Sequence, residues 1–281
     1  MSANDKSLKG KTLFVTGASR GIGLAIATRA ARDGANIILV AKTVQAHPKL
    51  PGTLYTAAAE IEAAGGQALP VPTDIRQEAA IAAAVQAGVQ RFGGIDILIN
   101  NASAISLTPT PATPLSRFDL MFSINVRGTY ACTQACLPEL IKSARAGRNP
   151  HVLTLSPPLS MKPEWFAPHL AYTMSKYGMS LCTLGHAEEL KPHGIGVNSL
   201  WPRTVIATAA LQMIPGIDSR KARKPEILAD AAWLILTSDA RRTTGNFFID
   251  DTLLAEHGVR DLDRYAVVPG TRDLIPDLFI G

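Results

Sequence analysis

The sequence predicts a doubly wound α/β fold, a parallel sheet of about seven strands with helices on both faces. Short β-branched runs alternate with alanine-rich stretches of helical period, and strands separated by helices pair in parallel through right-handed crossovers. Runs such as Ile37-Ile38-Leu39-Val40 are apolar without alternation, as strands covered on both faces require. A glycine-rich turn, Thr16-Gly17-Ala18-Ser19-Arg20-Gly21-Ile22-Gly23, joins the first strand to the first helix.

In chain order, strands are expected at residues 12–16, 36–41, 67–71, 96–100, 151–155, 196–200 and 246–249. Helical patterns between them include 22–33, 53–64, 78–92, 117–141 and 172–190. Gly34 and the pair Gly65-Gly66 stop helices where the chain turns into the next strand. Residues 42–52 form a long loop after the second strand, at the sheet end where such folds bind ligands. Neither 144–150 nor 157–168 shifts composition enough to mark a boundary. Residues 1–281 therefore read as one domain, with a core at 9–254 and a tail at 255–281 that turns from acidic to apolar.

Apolar residues make up 47% of the 281, enough for a sizeable core. No run is long and apolar enough to span a bilayer, and the first six residues lack a signal-peptide core. The expected location is cytoplasmic. Cys132, Cys136 and Cys182 are an odd number without a Cys-x-x-Cys pair, which fits a reducing compartment and no metal site. The net charge is +5, and the basic run 220–224 has no interleaved aromatics, so it reads as solvated surface rather than a nucleic-acid site. The six histidines, His47 and His169 among them, are scattered and read as satisfied or solvated.

The glycine turn suits a dinucleotide. Gly17, Gly21 and Gly23 let the backbone turn sharply and approach a pyrophosphate, and the helix start offers free N–H groups to the anion. The second strand ends Val40-Ala41-Lys42-Thr43, without the acid that usually meets the ribose hydroxyls in NAD sites. Lys42 and Arg20 would instead meet a 2′-phosphate, so NADP(H) is expected ahead of NAD(H). Asp74-Ile75 ends the third strand near the expected adenine, and Asn100-Asn101-Ala102-Ser103 ends the fourth. Far downstream, Tyr172 and Lys176 share one helix face, where an ammonium is expected to pull the phenol pKa toward working pH. Together these features point to hydride transfer, with Tyr172 handling a proton.

In this order the pieces resemble the short-chain dehydrogenase/reductase superfamily over residues 9–254. A closer resemblance, to the hydroxysteroid dehydrogenase-like protein 2 group, rests on strings such as Leu200-Trp201-Pro202-Arg203-Thr204 and Asn246-Phe247-Phe248-Ile249-Asp250. The resemblance implies a Rossmann-type fold and a cofactor site of Gly17, Ser19, Arg20, Gly21, Ile22, Gly23, Lys42, Asp74, Ile75, Asn101, Ala102, Ser103, Tyr172, Lys176, Pro202 and Thr204. It implies Tyr172 as acid and base, Lys176 as its primer and a ribose contact, Asn125 as holder of a water, and a serine that polarises the substrate carbonyl. It also implies a homo-oligomer, a dimer or tetramer, with the tail at a subunit interface. Bacterial relatives include enzymes of citronellol-type terpene alcohol breakdown.

The serine departs from the pattern. The family places it about thirteen residues before the tyrosine, where this chain has Leu159. Ser156 lies sixteen before Tyr172 and Ser160 twelve before, and strand alignment puts Pro157 in the serine's place. Ser156 is taken as the candidate; Ser160, a substitute donor and no donor at all are the alternatives. Apolar residues Pro157, Pro158, Leu159, Met161, Trp165 and Phe166, with Ala209, Ala210, Leu211, Met213 and Ile214, are expected to line a pocket for a small apolar alcohol or carbonyl compound. A nucleotide-binding sensor or scaffold that has lost catalysis is the competing reading, with Pro157 as its main support.

Overall fold

The computed structural model describes residues 6–46, 51–211, 214 and 216–280; His47 and Met213 lie outside them. Seven parallel strands form one sheet in the order β3-β2-β1-β4-β5-β6-β7. They are β1 (Thr12–Thr16), β2 (Asn36–Ala41), β3 (Gln67–Pro72), β4 (Ile97–Asn100), β5 (His151–Thr154), β6 (Gly196–Trp201) and β7 (Phe247–Ile249). The order reverses between β1 and β4, which opens a crevice at the C-terminal ends of these strands.

Side chains alternate across the sheet and feed two cores. Leu13, Val15, Ile37, Leu39, Ile97, Ile99 and Leu153 pack on one face. There they meet α1 (Gly21–Ala31), α2 (Leu54–Ala63), α7 (Glu226–Leu236) and α8 (Asp250–Glu256). Phe14, Ile38, Val40, Leu98 and Val152 face the other way, toward α3 (Glu78–Phe92), α5 (Thr129–Arg145) and α6 (Leu170–Leu190). Cys132 and Cys136 are fully buried in that second core, and burial pushes the Cys132 thiol up to about 12. Among the described residues no helix is long and apolar enough to cross a membrane.

Element ends shift by a residue or two in several places, and two differences have a visible cause. The helix expected at 117–141 is broken: α4 (Leu115–Met121) passes into a π-helical segment, Phe122–Gly128, before α5 begins. Helical periodicity cannot reveal the change of winding, because both forms keep neighbouring turns on one face; π turns recur at functional sites. The fourth strand starts one residue late because Asp96 serves as an anchor. Its carboxylate accepts bonds from Thr12 N (2.8 Å), Ser143 Oγ (2.7 Å) and the Arg148 guanidinium (2.7 Å). Burial alone would raise its pKa, but Arg148, Thr12 and Ser143 hold the carboxyl below the usual range.

His151, the first residue of β5, is fully buried. Nε2 lies 3.2 Å from Ser238 O, while Nδ1 has no partner. Burial holds its pKa down at about 4. Its folded value is below the unfolded one, so its stabilising share is present above about pH 6.5 and is lost as pH falls toward 4, a difference on the order of 3 kcal/mol. The His151 ring signals in an NMR titration are therefore expected to stay constant down to about pH 5. A midpoint near 6.5 would refute this account.

Candidate active site

The glycine turn is held open by Asn101. Its Nδ2 donates to Thr16 O (2.9 Å) and Gly17 O (3.2 Å), while its own N–H and that of Ala102 donate to Thr16 Oγ1 (3.0 Å each). Gly17 is left-handed at φ 66°. A Cβ on Gly23 would stand 2.5 Å from Asn101 Nδ2 and 2.7 Å from Gly17 O, so helix α1 approaches this closely only because residue 23 is glycine. No side chain caps α1, and its first turn has no acid. The end points at the crevice with its amides available to an anion.

One cleft of about 350 Å³ gathers most of the expected cofactor residues: Gly17, Ser19, Arg20, Gly21, Ile22, Lys42, Asp74, Ile75, Asn101, Ala102 and Ser103. Its three charged residues already have partners. Asp74 is gripped by the Arg76 fork (2.6–3.0 Å) and by Lys42 Nζ at 3.3 Å, and Arg76 chiefly holds its carboxyl far below the usual range. Arg20 donates to Pro51 O (3.0 Å) and Gly52 O (2.8 Å) on the loop after β2. Asp74 is the cleft's one carboxylate among its described lining residues, against the cations Arg20 and Lys42.

Tyr172, Lys176 and Asn125 converge beside the β5 end. Asn125 sits in the π-helical segment, fully buried. Its amide accepts from Ala104 N (2.7 Å) and donates to Ala104 O (3.0 Å) and Ser175 Oγ (2.9 Å), whose hydroxyl donates to Tyr172 O (2.8 Å). Asn125 thus braces both the β4–α4 loop and the first turn and a half of α6. Lys176 Nζ donates to Leu155 O at 2.7 Å and stands 4.9 Å above the Trp201 ring. Burial pulls Lys176 down to about 7. The expected lowering of the tyrosine pKa is corrected: burial, then nearby Asp277, pushes Tyr172 well above its ordinary value. Burial favours the protonated phenol.

Ser156 is bonded toward β6. Its hydroxyl is buried and shares a 2.8 Å hydrogen bond with Ser199 Oγ, which donates to Thr183 Oγ1 at 2.8 Å. The side chain after it belongs to Pro157, whose carbonyl accepts from Ser180 Oγ at 2.6 Å.

Around Tyr172 lies an aromatic cluster that the sequence reading did not assemble. His169 meets the Tyr172 ring edge-on at 5.9 Å, its Nδ1 3.0 Å from Thr173 Oγ1. From the tail, Phe279 packs 6.3 Å from the Tyr172 ring and 5.9 Å from Trp201, and Trp201 Nε1 donates to Leu278 O at 2.8 Å. The apolar tail, expected at a subunit interface, thus buries Phe279 within its own chain. Phe279 is left-handed at φ 71°, a conformation that costs a bulky side chain about 1–3 kcal/mol.

The short chain dehydrogenase family profile matches residues 11–215. The chain belongs to this family. It is 57% identical over 282 residues to hydroxysteroid dehydrogenase-like protein 2 of Xenopus laevis, covering 100% of this chain and 66% of that protein. The chain therefore spans just under two thirds of that relative's length. A short chain dehydrogenase structure from Mycobacterium thermoresistibile superposes with a TM-score of 0.91 at 54% identity, over 98% of this chain and 96% of that one. A metagenomic short-chain oxidoreductase in complex with NADP matches at 29% identity and a TM-score of 0.70, over 86% of this chain and 97% of that one. A short chain dehydrogenase from Mycobacterium paratuberculosis bound to NAD matches at 26% and 0.72, over the same shares.

The fold of a short chain dehydrogenase binds a nicotinamide dinucleotide, and the residues present fit one. The uncapped start of α1 suits the pyrophosphate. Beyond the end of β6, Thr204 Oγ1 is buried without a partner, just past buried Pro202. An orphaned hydroxyl there suits the amide of a nicotinamide.

Proposed function

We propose that the chain is an NADP(H)-dependent oxidoreductase interconverting an apolar alcohol with its aldehyde or ketone, with Tyr172 as acid and base. The observation that carries this is Tyr172 held in an apolar box, with Lys176 one turn on and Asn125 bracing the helix through Ser175. The bound dinucleotide would supply or accept the hydride. Gly17, Ser19, Gly21, Ile22 and Gly23 would hold its phosphates, Asn101, Ala102 and Ser103 its middle, and Thr204 its nicotinamide end. Tyr172, kept protonated by burial, is poised to give its proton to a carbonyl oxygen. Lys176, one helical turn on, would steady the phenolate left behind. With Ser156 tied to Ser199, this reading assigns polarisation of the carbonyl to Tyr172. The lining supports an isoprenoid, fatty or steroid-like substrate, with a citronellol-type alcohol one candidate. NADPH oxidation with a panel of apolar aldehydes and ketones tests this; activity confined to charged, sugar-like substrates would refute it.

Preference for the phosphorylated cofactor is supported by Lys42, 61% exposed on the cleft rim, and by the cleft's surplus of positive charge. Lys42→Ala is expected to weaken NADPH binding about tenfold, or 1.4 kcal/mol, and leave NADH unchanged. Equal loss for both would count against the assignment. The bonding of Ser156 and the proline after it favour a second reading, a nucleotide-binding sensor with lost catalysis; it predicts tight NADPH binding without turnover on any carbonyl.

Homo-oligomerisation is supported by an exposed apolar stripe along α6, with Leu170, Met174, Leu181 and Leu184 at helical spacing. Sedimentation velocity on a Leu181→Asp/Leu184→Asp variant should show smaller particles than the parent. An unchanged profile would remove this face from the interface.

A further inference from the structure

Phe279 occupies a box of five rings. Its centroid lies 5.9 Å from Trp165, 6.1 Å from His169, 6.3 Å from Tyr172, 5.3 Å from Tyr177 and 5.9 Å from Trp201. The side chain is 3% exposed, and beneath it Tyr172 is 5% exposed. Tilted and edge-on ring contacts of this kind are the ones aromatic groups favour. Yet the backbone that delivers the ring is in the left-handed region, which an aromatic residue keeps only when its surroundings over-determine it. Burial of the ring is what holds it there. The segment's backbone is attached at a few points: Leu278 O accepts from Trp201 Nε1, Asp277 N donates to Arg203 O (3.0 Å), and Ile275 pairs with Val205 and Lys221.

We propose that this aromatic box is the binding subsite for the apolar end of the substrate, and that Phe279 is its built-in occupant, displaced when a ligand with a planar or branched apolar group enters. The inference rests on Tyr172 being the acid–base residue. Three features support it. The occupant is the size and polarity of a benzyl group. The box shares a wall, Tyr172, with the reacting position. The strained backbone at residue 279 relaxes once the ring leaves, so exit of the ring is partly offset. The substrate class narrows accordingly, to alcohols and carbonyl compounds whose apolar group resembles a phenyl ring or a branched alkyl end.

The test uses the full chain and 3-phenylpropan-1-ol as the probe. Hydrogen exchange at the Asp277 and Val205 amides, bonded to Arg203 O and Ile275 O, reports whether residues 275–280 stay seated. On saturation with the probe, exchange at both is expected to rise at least tenfold, with β1 amides unchanged. By calorimetry Phe279→Ala is expected to bind the probe about tenfold more tightly than the parent, and Phe279→Leu, which keeps an apolar filling, to fall between them. Exchange that stays constant or slows with the probe bound would overturn the proposal. So would no binding to any of the three proteins, or binding confined to Phe279→Ala, because the box is then only a filled core cavity. Neither readout needs turnover. A chain that never oxidises NADPH but releases residues 275–280 to the probe refutes the oxidoreductase reading alone; turnover with unmoved exchange refutes this one alone.

Discussion

Tyr172→Phe is expected to lower kcat by about a thousandfold, within the range that general acid–base groups contribute, while NADPH affinity stays within about twofold. The variant keeps the ring, so its packing against His169 and Phe279 persists. What disappears is the phenol hydroxyl, while Ser156 stays bonded to Ser199 and residue 157 is proline. Steady-state NADPH oxidation with an apolar aldehyde and a separate cofactor titration measure the two quantities. Turnover retained above a tenth of the parent would remove Tyr172 from the chemistry. Loss of cofactor binding along with turnover would instead make its role structural.

Gly23→Ala is expected to act at the other end of the crevice, raising the NADPH dissociation constant about a hundredfold, or 2.7 kcal/mol. The new methyl would stand 2.5 Å from Asn101 Nδ2 and 2.7 Å from Gly17 O. Neither neighbour is soft. The amide is fixed by two bonds to the turn, and the carbonyl is backbone. Helix α1 must back away, which overpacking series put at roughly 1–3 kcal/mol of stability. The melting temperature should fall by several degrees alongside the affinity. Adding Asn101→Ala frees space for the methyl, so the double variant is expected to be more stable than the two single losses added together, as residues in contact couple. Strict additivity would show that Asn101 and Gly23 do not press on one another.

The sheet was legible because its signals are local. Ile37-Ile38-Leu39-Val40 and Ile97-Leu98-Ile99 need only their own composition to read as covered strands, and Gly17 to Gly23 need only their spacing to read as an anion turn. What stayed hidden depends on distant partners. Asp96 looks like a strand residue until Arg148, 52 positions on, reaches its carboxylate. Lys42 and Asp74 each read as a cofactor contact; that they also pair with one another follows from β2 and β3 being neighbours. The lysine was expected to depress the tyrosine, but spacing says nothing of depth, and burial moved both groups the opposite way from mutual help. Phe279 lies more than a hundred residues from Tyr172 in sequence, and no periodicity ties the two.

The bracing of the first turn by Asn101 has a thermodynamic consequence. A loop that must be ordered by its ligand consumes part of the interaction energy in losing freedom, whereas this loop is tied down by four bonds to Thr16 and Gly17 before any phosphate arrives. The nucleotide half of the molecule is preorganised, a rigid socket. More of each contact made there survives as affinity.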